Sequence, residues 1–408
     1  MAQVKLLLLF MLTFFLHNLC LSSHSQSSFV DTQVWSSSHH KVFNVEHFGA
    51  KGDGTDDSKA FEKAWAKACS ASSSSILLVP KNKKYTLKPV EFRGPCKSPV
   101  TVLIKGTLEA PSKLSDWDAN KMNTWIMFNT TKNLAVRGGG MLDGKGQVWW
   151  QKSCKINSSM ALLFRKCKNL VVEDMTVKDG QQIHVWFRRC SNVDASKITI
   201  SSPDESPNTD GIHITDTKNI IIQNSIIGSG DDCISIVSGS RGVIARKILC
   251  GPGHGISIGS LGSNHSLANV SDVLVDDVRL TGTTNGLRIK TWQGGRGYAK
   301  HIIFQNIVMD NVKRPIIINQ NYCDQDEPCY VQESAVAVSR VLYKNIKGTS
   351  ASKAAITFNC SQSIPCRHIS LQNINLVGED GNASTSVCSN VVHWKQDGNV
   401  IPAPCALN

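Results

Sequence analysis

The chain has 408 residues, 41% of them hydrophobic and 19% charged, which excludes a disordered chain and leaves room for one large core or two smaller ones. Lys and Arg total 44 against 32 Asp and Glu, a formal net charge of +12. Such an excess favours a polyanionic partner, whether nucleic acid, a membrane surface or an acidic polysaccharide.

In chain order, Lys5 precedes an apolar run from Leu6 to Leu16, and the stretch from Cys20 to Ser28 is small and polar. A charged start, a short apolar segment and a cleavage zone predict a secretory signal over residues 1–25. The run is too short to span a bilayer as a helix, so the expected product is soluble, secreted and extracellular. Loss of Lys5 lowers the net charge to +11. Residues 26–41 are rich in Ser and His and predict a flexible tail. From Ser58 to Cys69, Phe61, Ala64, Trp65 and Ala68 recur at helical spacing, with Asp56, Asp57 and Ser58 as candidate N-caps.

Beyond this helix one pattern recurs: Asn or another polar residue, then alternating β-branched residues. Copies begin at Asn133, Asn169, Asn192, Asn219, Asp272, His301 and His368, mostly at about 20–40 residues, the spacing of repeat architectures. Each copy carries short period-2 strands bounded by Gly, Asn, Asp or Ser. No long helical pattern separates them, which disfavours an α/β fold, and the strict spacing of leucine-rich repeats is missing. The expected fold is all-β, a right-handed parallel β-helix over residues 42–408 in a single domain, with the N-terminal helix as its cap.

Of the 14 cysteines, 13 remain without the signal. In an oxidising compartment the spacings pair Cys233 with Cys250, Cys323 with Cys329, Cys360 with Cys366 and Cys388 with Cys405, with Cys69 and Cys96 as a fifth pair. The odd count leaves at least one free thiol. No spacing makes a Cys/His metal cluster, so no metal or cofactor is expected. Sequons at Asn129, Asn157, Asn264, Asn269, Asn359 and Asn382 fit a glycoprotein.

Three Asp-Asp pairs occur. Asp56-Asp57 reads as a helix cap and Asp276-Asp277 as exposed strand surface. Asp231-Asp232 follows a turn at Gly230 and precedes Cys233. Asp210 lies about one coil earlier and His254 about one coil later, so stacking at roughly 4.8 Å per strand aligns them in one column. Arg288 and Lys290 follow after a longer coil containing a Gly262–Asn269 insertion, and strand alternation places both on one face. Singly, each has an ordinary reading as turn, core or solvated surface. The shared register sets them apart. The chemistry that suits them is glycoside hydrolysis, in which one carboxyl is protonated and another ionised. With no acidic residue in their own strand, Arg288 and Lys290 suggest that the substrate brings the carboxylates.

The segments Ser206–Gly211 (SPNTDG), Gly230–Cys233 (GDDC), Gly253–Gly255 (GHG) and Arg288–Lys290 (RIK), in this order and spacing, resemble those of plant polygalacturonases in glycoside hydrolase family 28. So do Phe48–Gly54 and Leu142–Gly146. The resemblance covers about residue 42 to the end. It implies cleavage of α-1,4-galacturonosyl linkages of pectin with inversion, in the plant cell wall. Asp231 would be the general acid, and Asp210 and Asp232 would hold and activate water. His254 would support the proton state of the acid, Arg288 and Lys290 would grip galacturonate, Asn208 would orient the carboxylates and Tyr322 would contact substrate. The implied partner is polygalacturonate, bound by a monomer without nucleic acid or membrane. The run Arg288–Gly295 looks like endo-acting members, with exo action as the alternative. Rival readings are a Ca²⁺-dependent pectate lyase and a non-catalytic wall-binding solenoid. Nucleic-acid binding lacks its aromatic-basic modules, and rhamnogalacturonan hydrolases usually lack the full cation and His set.

Overall fold

A computed structural model describes residues 40–117, 123–151, 159–324 and 329–405. The expected signal segment and nearly all of the expected tail lie outside the described residues. At the boundary the chain is already ordered: strand Lys41–Asn44 pairs in parallel with Ser75–Leu78.

Coil after coil repeats one template. A short strand is followed by a turn and a longer, bent strand. The short strands, among them Val185–Arg188, Ile212–Thr215, Ile234–Ile236, Ile256–Leu261 and Asn285–Trp292, stack in an 11-stranded parallel sheet. The longer ones, such as Lys168–Lys178, Ser191–Ser201 and Lys218–Gly228, belong to an 18-stranded parallel sheet. This is the expected right-handed parallel β-helix.

The polar residue that opens each repeat has a backbone reason. Asn133, Asn169, Asn192, Asn219, Asp272, His301 and His368 all have φ between 53 and 58°, a left-handed conformation that Asn, Asp and His tolerate better than most residues. There the chain turns a corner of the coil. The Asn side chains also form a ladder, Asn169 Nδ2 donating to Asn133 Oδ1 at 2.9 Å and Asn192 Nδ2 to Asn169 Oδ1 at 3.1 Å.

Alternation then fills the interior. Val185, Ile212, Ile234, Ile256, Leu287 and Ile316 align in register down one wall and are fully buried. At about 1.5–3 kcal/mol for each such side chain, this repeated burial is the main force holding the coils together. Phe128, Phe164 and Phe187 stack beside them with centroids 5.4 Å apart.

The helix Ser58–Ser70 covers the N-terminal end, burying Phe61, Ala64, Trp65 and Ala68. Trp65 packs on Phe92 and Phe128 at 5.3 and 5.7 Å. Its capping differs from expectation. Asp57 occupies the N-cap position, but its carboxylate accepts instead from the amides of Lys51 and Gly52. Asp56 Oδ1 accepts from the Ser58 amide at 3.0 Å.

All five expected disulfides form. Cys167 and Cys190 are free and buried, and Cys154 lies outside the described residues. Of the sequons, Asn129 is buried and donates its amide to Glu91 Oε1 at 2.6 Å, whereas Asn264 and Asn382 are exposed; Asn157 lies outside the described residues. Among the described residues no helix is long and apolar enough to cross a membrane.

Candidate active site

The outward face of the 11-stranded sheet gathers the residues singled out above. Asp210 ends the turn before strand Ile212–Thr215, Asp231 and Asp232 end the turn before Ile234–Ile236, and His254 precedes Ile256–Leu261. Arg288 and Lys290 lie within strand Asn285–Trp292, and Tyr322 ends strand Arg314–Tyr322. Turns at coil corners can project side chains away from the core, and equal stacking brings successive turns to one place. The turns are also backbone-tight. A side chain at Gly230 would collide with the Ser206 carbonyl. Gly253 has φ +139°, and a Cβ there would meet the Asp231 carbonyl at 2.6 Å. Cys233, bonded to Cys250, anchors the Asp231-Asp232 turn.

Asp232 is the most enclosed of the three carboxylates, with its side chain 2% exposed. Arg288 Nη2 donates to its Oδ1 at 2.6 Å, Lys290 Nζ to its Oδ2 at 3.1 Å, and Ser257 Oγ to its Oδ1 at 2.7 Å. Burial alone would raise its pKa, but Lys290 and Arg288 overcome this and hold it at about 2. This corrects the expectation that the two cations lack an acidic partner. The partner sits two coils away, where neighbours in space are 56 and 58 residues apart in sequence.

Asp231 receives a hydrogen bond from the Asp232 amide at 2.8 Å, and its Oδ1 lies 2.9 Å from His254 Nδ1. That hydrogen bond, outweighing burial, raises the His254 pKa above its ordinary value. The His254 amide also donates to the Asp231 carbonyl at 2.8 Å.

Asp210 Oδ2 accepts from Ser235 Oγ at 2.5 Å and lies 3.2 Å from His213 Nδ1. Burial first, then the charge of Asp231, pushes its pKa up. The crowded carboxylates therefore diverge as expected, with Asp210 raised and Asp232 lowered.

Tyr322 joins the group: Lys290 Nζ sits 5.5 Å from its ring centroid, and Trp292 packs edge-on at 5.2 Å. Asn208 lies two residues before Asp210 with φ 52°, in the same turn.

Four supporting residues escaped the sequence reading. His213, Ser235 and Ser257 form one outward column with Arg288. Their signal was a constant offset, each three residues after Asp210, Asp232 or His254. His184 is the fourth. Its Nδ1 lies 3.0 Å from the Asp210 carbonyl and its Nε2 2.7 Å from Ser202 Oγ. Burial lowers its pKa to about 4, so it stays neutral and ties down the Asp210 turn.

Asp231, Asp232 and His254 offer ligand atoms within 4.8 Å of one another. Lys290 and Arg288 already neutralise Asp232, so a cation there would meet their like charge.

A parallel β-helix that carries opposed carboxyl environments and cationic side chains on its outward face has the equipment of a glycoside hydrolase. The chain belongs to the glycosyl hydrolases of family 28, whose model matches residues 69–398. It is 57% identical over 356 residues to a polygalacturonase of Persea americana, covering 86% of this chain and 77% of that one. It is 54% identical over 370 residues to polygalacturonase-2 of Solanum lycopersicum, covering 89% and 80%. Among solved structures, an endo-xylogalacturonan hydrolase from Aspergillus tubingensis shares the fold with a TM-score of 0.73 at 20% identity, covering 88% of this chain and all of the other.

Proposed function

We propose that this chain is a secreted, monomeric, endo-acting polygalacturonase that hydrolyses α-1,4-galacturonosyl linkages of pectin in the cell wall. The observation that carries the reading is the division of labour among three neighbouring aspartates. Asp232 is held ionised by Lys290 and Arg288, Asp231 shares a hydrogen bond with His254, and Asp210 is raised by burial. The relatives named polygalacturonase support the substrate.

In this mechanism Asp231 gives its proton to the leaving glycosidic oxygen. His254 keeps a proton 2.9 Å from Asp231 Oδ1, so the pair holds a transferable proton to higher pH than an isolated imidazole. Asp232, held ionised by Lys290 and Arg288, takes the proton of the attacking water, and Asp210 orients that water. Arg288 and Lys290 do two jobs: they keep Asp232 charged and present cationic surface to a galacturonate carboxylate. Tyr322 walls the same sugar, and Asn208 steadies the Asp210 turn. Oxygens of Asp231 and Asp232 approach within 4.8 Å, below the roughly 6.5–9.5 Å usual for inverting pairs. Inversion therefore rests on the family, and the anomer first released, read by NMR, decides it.

Digestion of polygalacturonate tests the reading. Mixed saturated oligomers are expected; monomer alone would mean exo action. Unsaturated products abolished by a chelator would mean a lyase.

A further inference from the structure

We propose that Arg165 and Arg188, with Trp186 as their wall, form a distal subsite that binds a uronate carboxylate of the substrate chain on the N-terminal side of Asp210. The proposal rests on the polygalacturonase reading and deepens it.

The outward residues of the catalytic sheet continue past the aspartates. Trp186 aligns with His213, one coil away in the column that leads through Ser235 and Ser257 to Arg288. Its ring is fixed: Nε1 donates to Thr215 Oγ1 at 3.0 Å, and His213 packs edge-on at 5.6 Å. Arg188, two residues on and on the same face, holds its guanidinium 5.1 Å from the Trp186 centroid. Arg165 aligns in register with Arg188 on the next coil, and its Nε donates to Asn129 Oδ1 at 3.2 Å.

Some arginines of the coils are already held by an acid. Arg189, Arg241 and Arg279 each face an aspartate within 3.5 Å. Among the described residues, neither Arg165 nor Arg188 has an ion pair. Glu91, two residues before Arg93 on its strand, accepts from Asn129 at 2.6 Å and lies 3.6 Å from Arg93. Arg165 and Arg188 leave the sheet from Cα atoms paired in register, about one strand spacing apart, so their like charges repel and an anion between them is favoured. Both are half-buried and pre-oriented, one by an indole face and one by an amide, so little freedom is lost when they bind. A planar carboxylate fits their paired N–H donors. The column places that carboxylate one to two coils beyond Asp210, so a polymer reaching it also spans the catalytic centre.

The test compares Arg188→Gln and Arg165→Gln with the wild-type enzyme on polygalacturonate and on trigalacturonate. Each variant is expected to lower the ratio of kcat/KM on polymer to kcat/KM on trimer about tenfold, the order of one charge-assisted contact. The loss should fall mainly on KM, with a shallower salt dependence. Arg188→Lys keeps the charge but not the fork, should give an intermediate ratio, and covers a glutamine variant that fails to fold. An unchanged ratio in the folded variants, with wild-type cleavage intact, would overturn the subsite alone. A wild-type enzyme unable to hydrolyse polygalacturonate would overturn the functional reading instead.

Discussion

Lys290 Nζ lies 3.1 Å from Asp232 Oδ2, although 58 residues separate them. The contact joins two functions that sequence alone keeps apart. In the proposed mechanism, a cation that faces the substrate also fixes the charge of the carboxylate that activates water. Arg288 holds the other oxygen at 2.6 Å, so Asp232 stays ionised in a site that would otherwise favour its neutral form.

Lys290→Met therefore has a double effect. KM on polygalacturonate should rise strongly, because a substrate carboxylate loses a cation. In addition kcat should fall, and the acid limb of the rate profile should move to higher pH, because Asp232 loses one of its two positive partners. Part of the loss should persist on heavily methyl-esterified pectin. Profiles of kcat/KM against pH on both substrates check this; a loss confined to the charged substrate would reduce Lys290 to a substrate contact.

Asp232 also links stability to pH. Its folded pKa, about 2, lies below the ordinary 3.8. The stabilisation is thus complete above the unfolded value and lost as pH falls through the folded one, a contribution on the order of 2 kcal/mol. Asp232→Asn should remove that contribution and leave two buried cations facing one another. Urea unfolding at pH 7, 4 and 3 should show a less stable variant with a flatter decline between pH 4 and 3. An unchanged slope would contradict the assignment.

His254 has the opposite sign. Its pKa is raised by Asp231, so the protonated pair exists below that value and is lost as pH rises through it. The rate should be bell-shaped with an acidic optimum, its alkaline limb set by this pair. His254→Gln should bring the alkaline limb to lower pH and reduce kcat by up to about 10², within the range of proton-transfer assistance. An alkaline limb that does not move would detach His254 from the proton donor.

The Cys233–Cys250 bridge closes a 17-residue separation beside the Asp231-Asp232 turn. Replacing both cysteines with Ser should cost about 2–4 kcal/mol. Near 25 °C, kcat should drop more than KM changes, because the bridge supports the carboxylates. Calorimetry and kinetics on the double variant measure the two effects.

Much of this was legible in the sequence because a solenoid converts sequence spacing into spatial stacking. Left-handed corner residues such as Asn169 and Asn192 mark the coils, and the column of Asp210, Asp232 and His254 follows from their lengths. Short cysteine separations likewise gave the disulfides. What escaped were interactions that cross coils. The Asp232 ion pairs join residues two coils apart, and no local window shows them. Ser235 and Ser257 look like ordinary strand residues until register places them beside Asp210 and Asp232. Asp57 sits at the N-cap position the sequence suggests, but its carboxylate secures the turn at Lys51 and Gly52 and leaves the first helix amides alone.

The most direct test of the central claim is the turnover of Asp231→Asn on polygalacturonate. Asn keeps the shape of the side chain but cannot deliver the proton. The account predicts a fall in kcat of about 10²–10⁴ or more, with KM changed only a few-fold and the melting temperature near that of the wild type. Near-normal turnover by a correctly folded Asp231→Asn enzyme would contradict it.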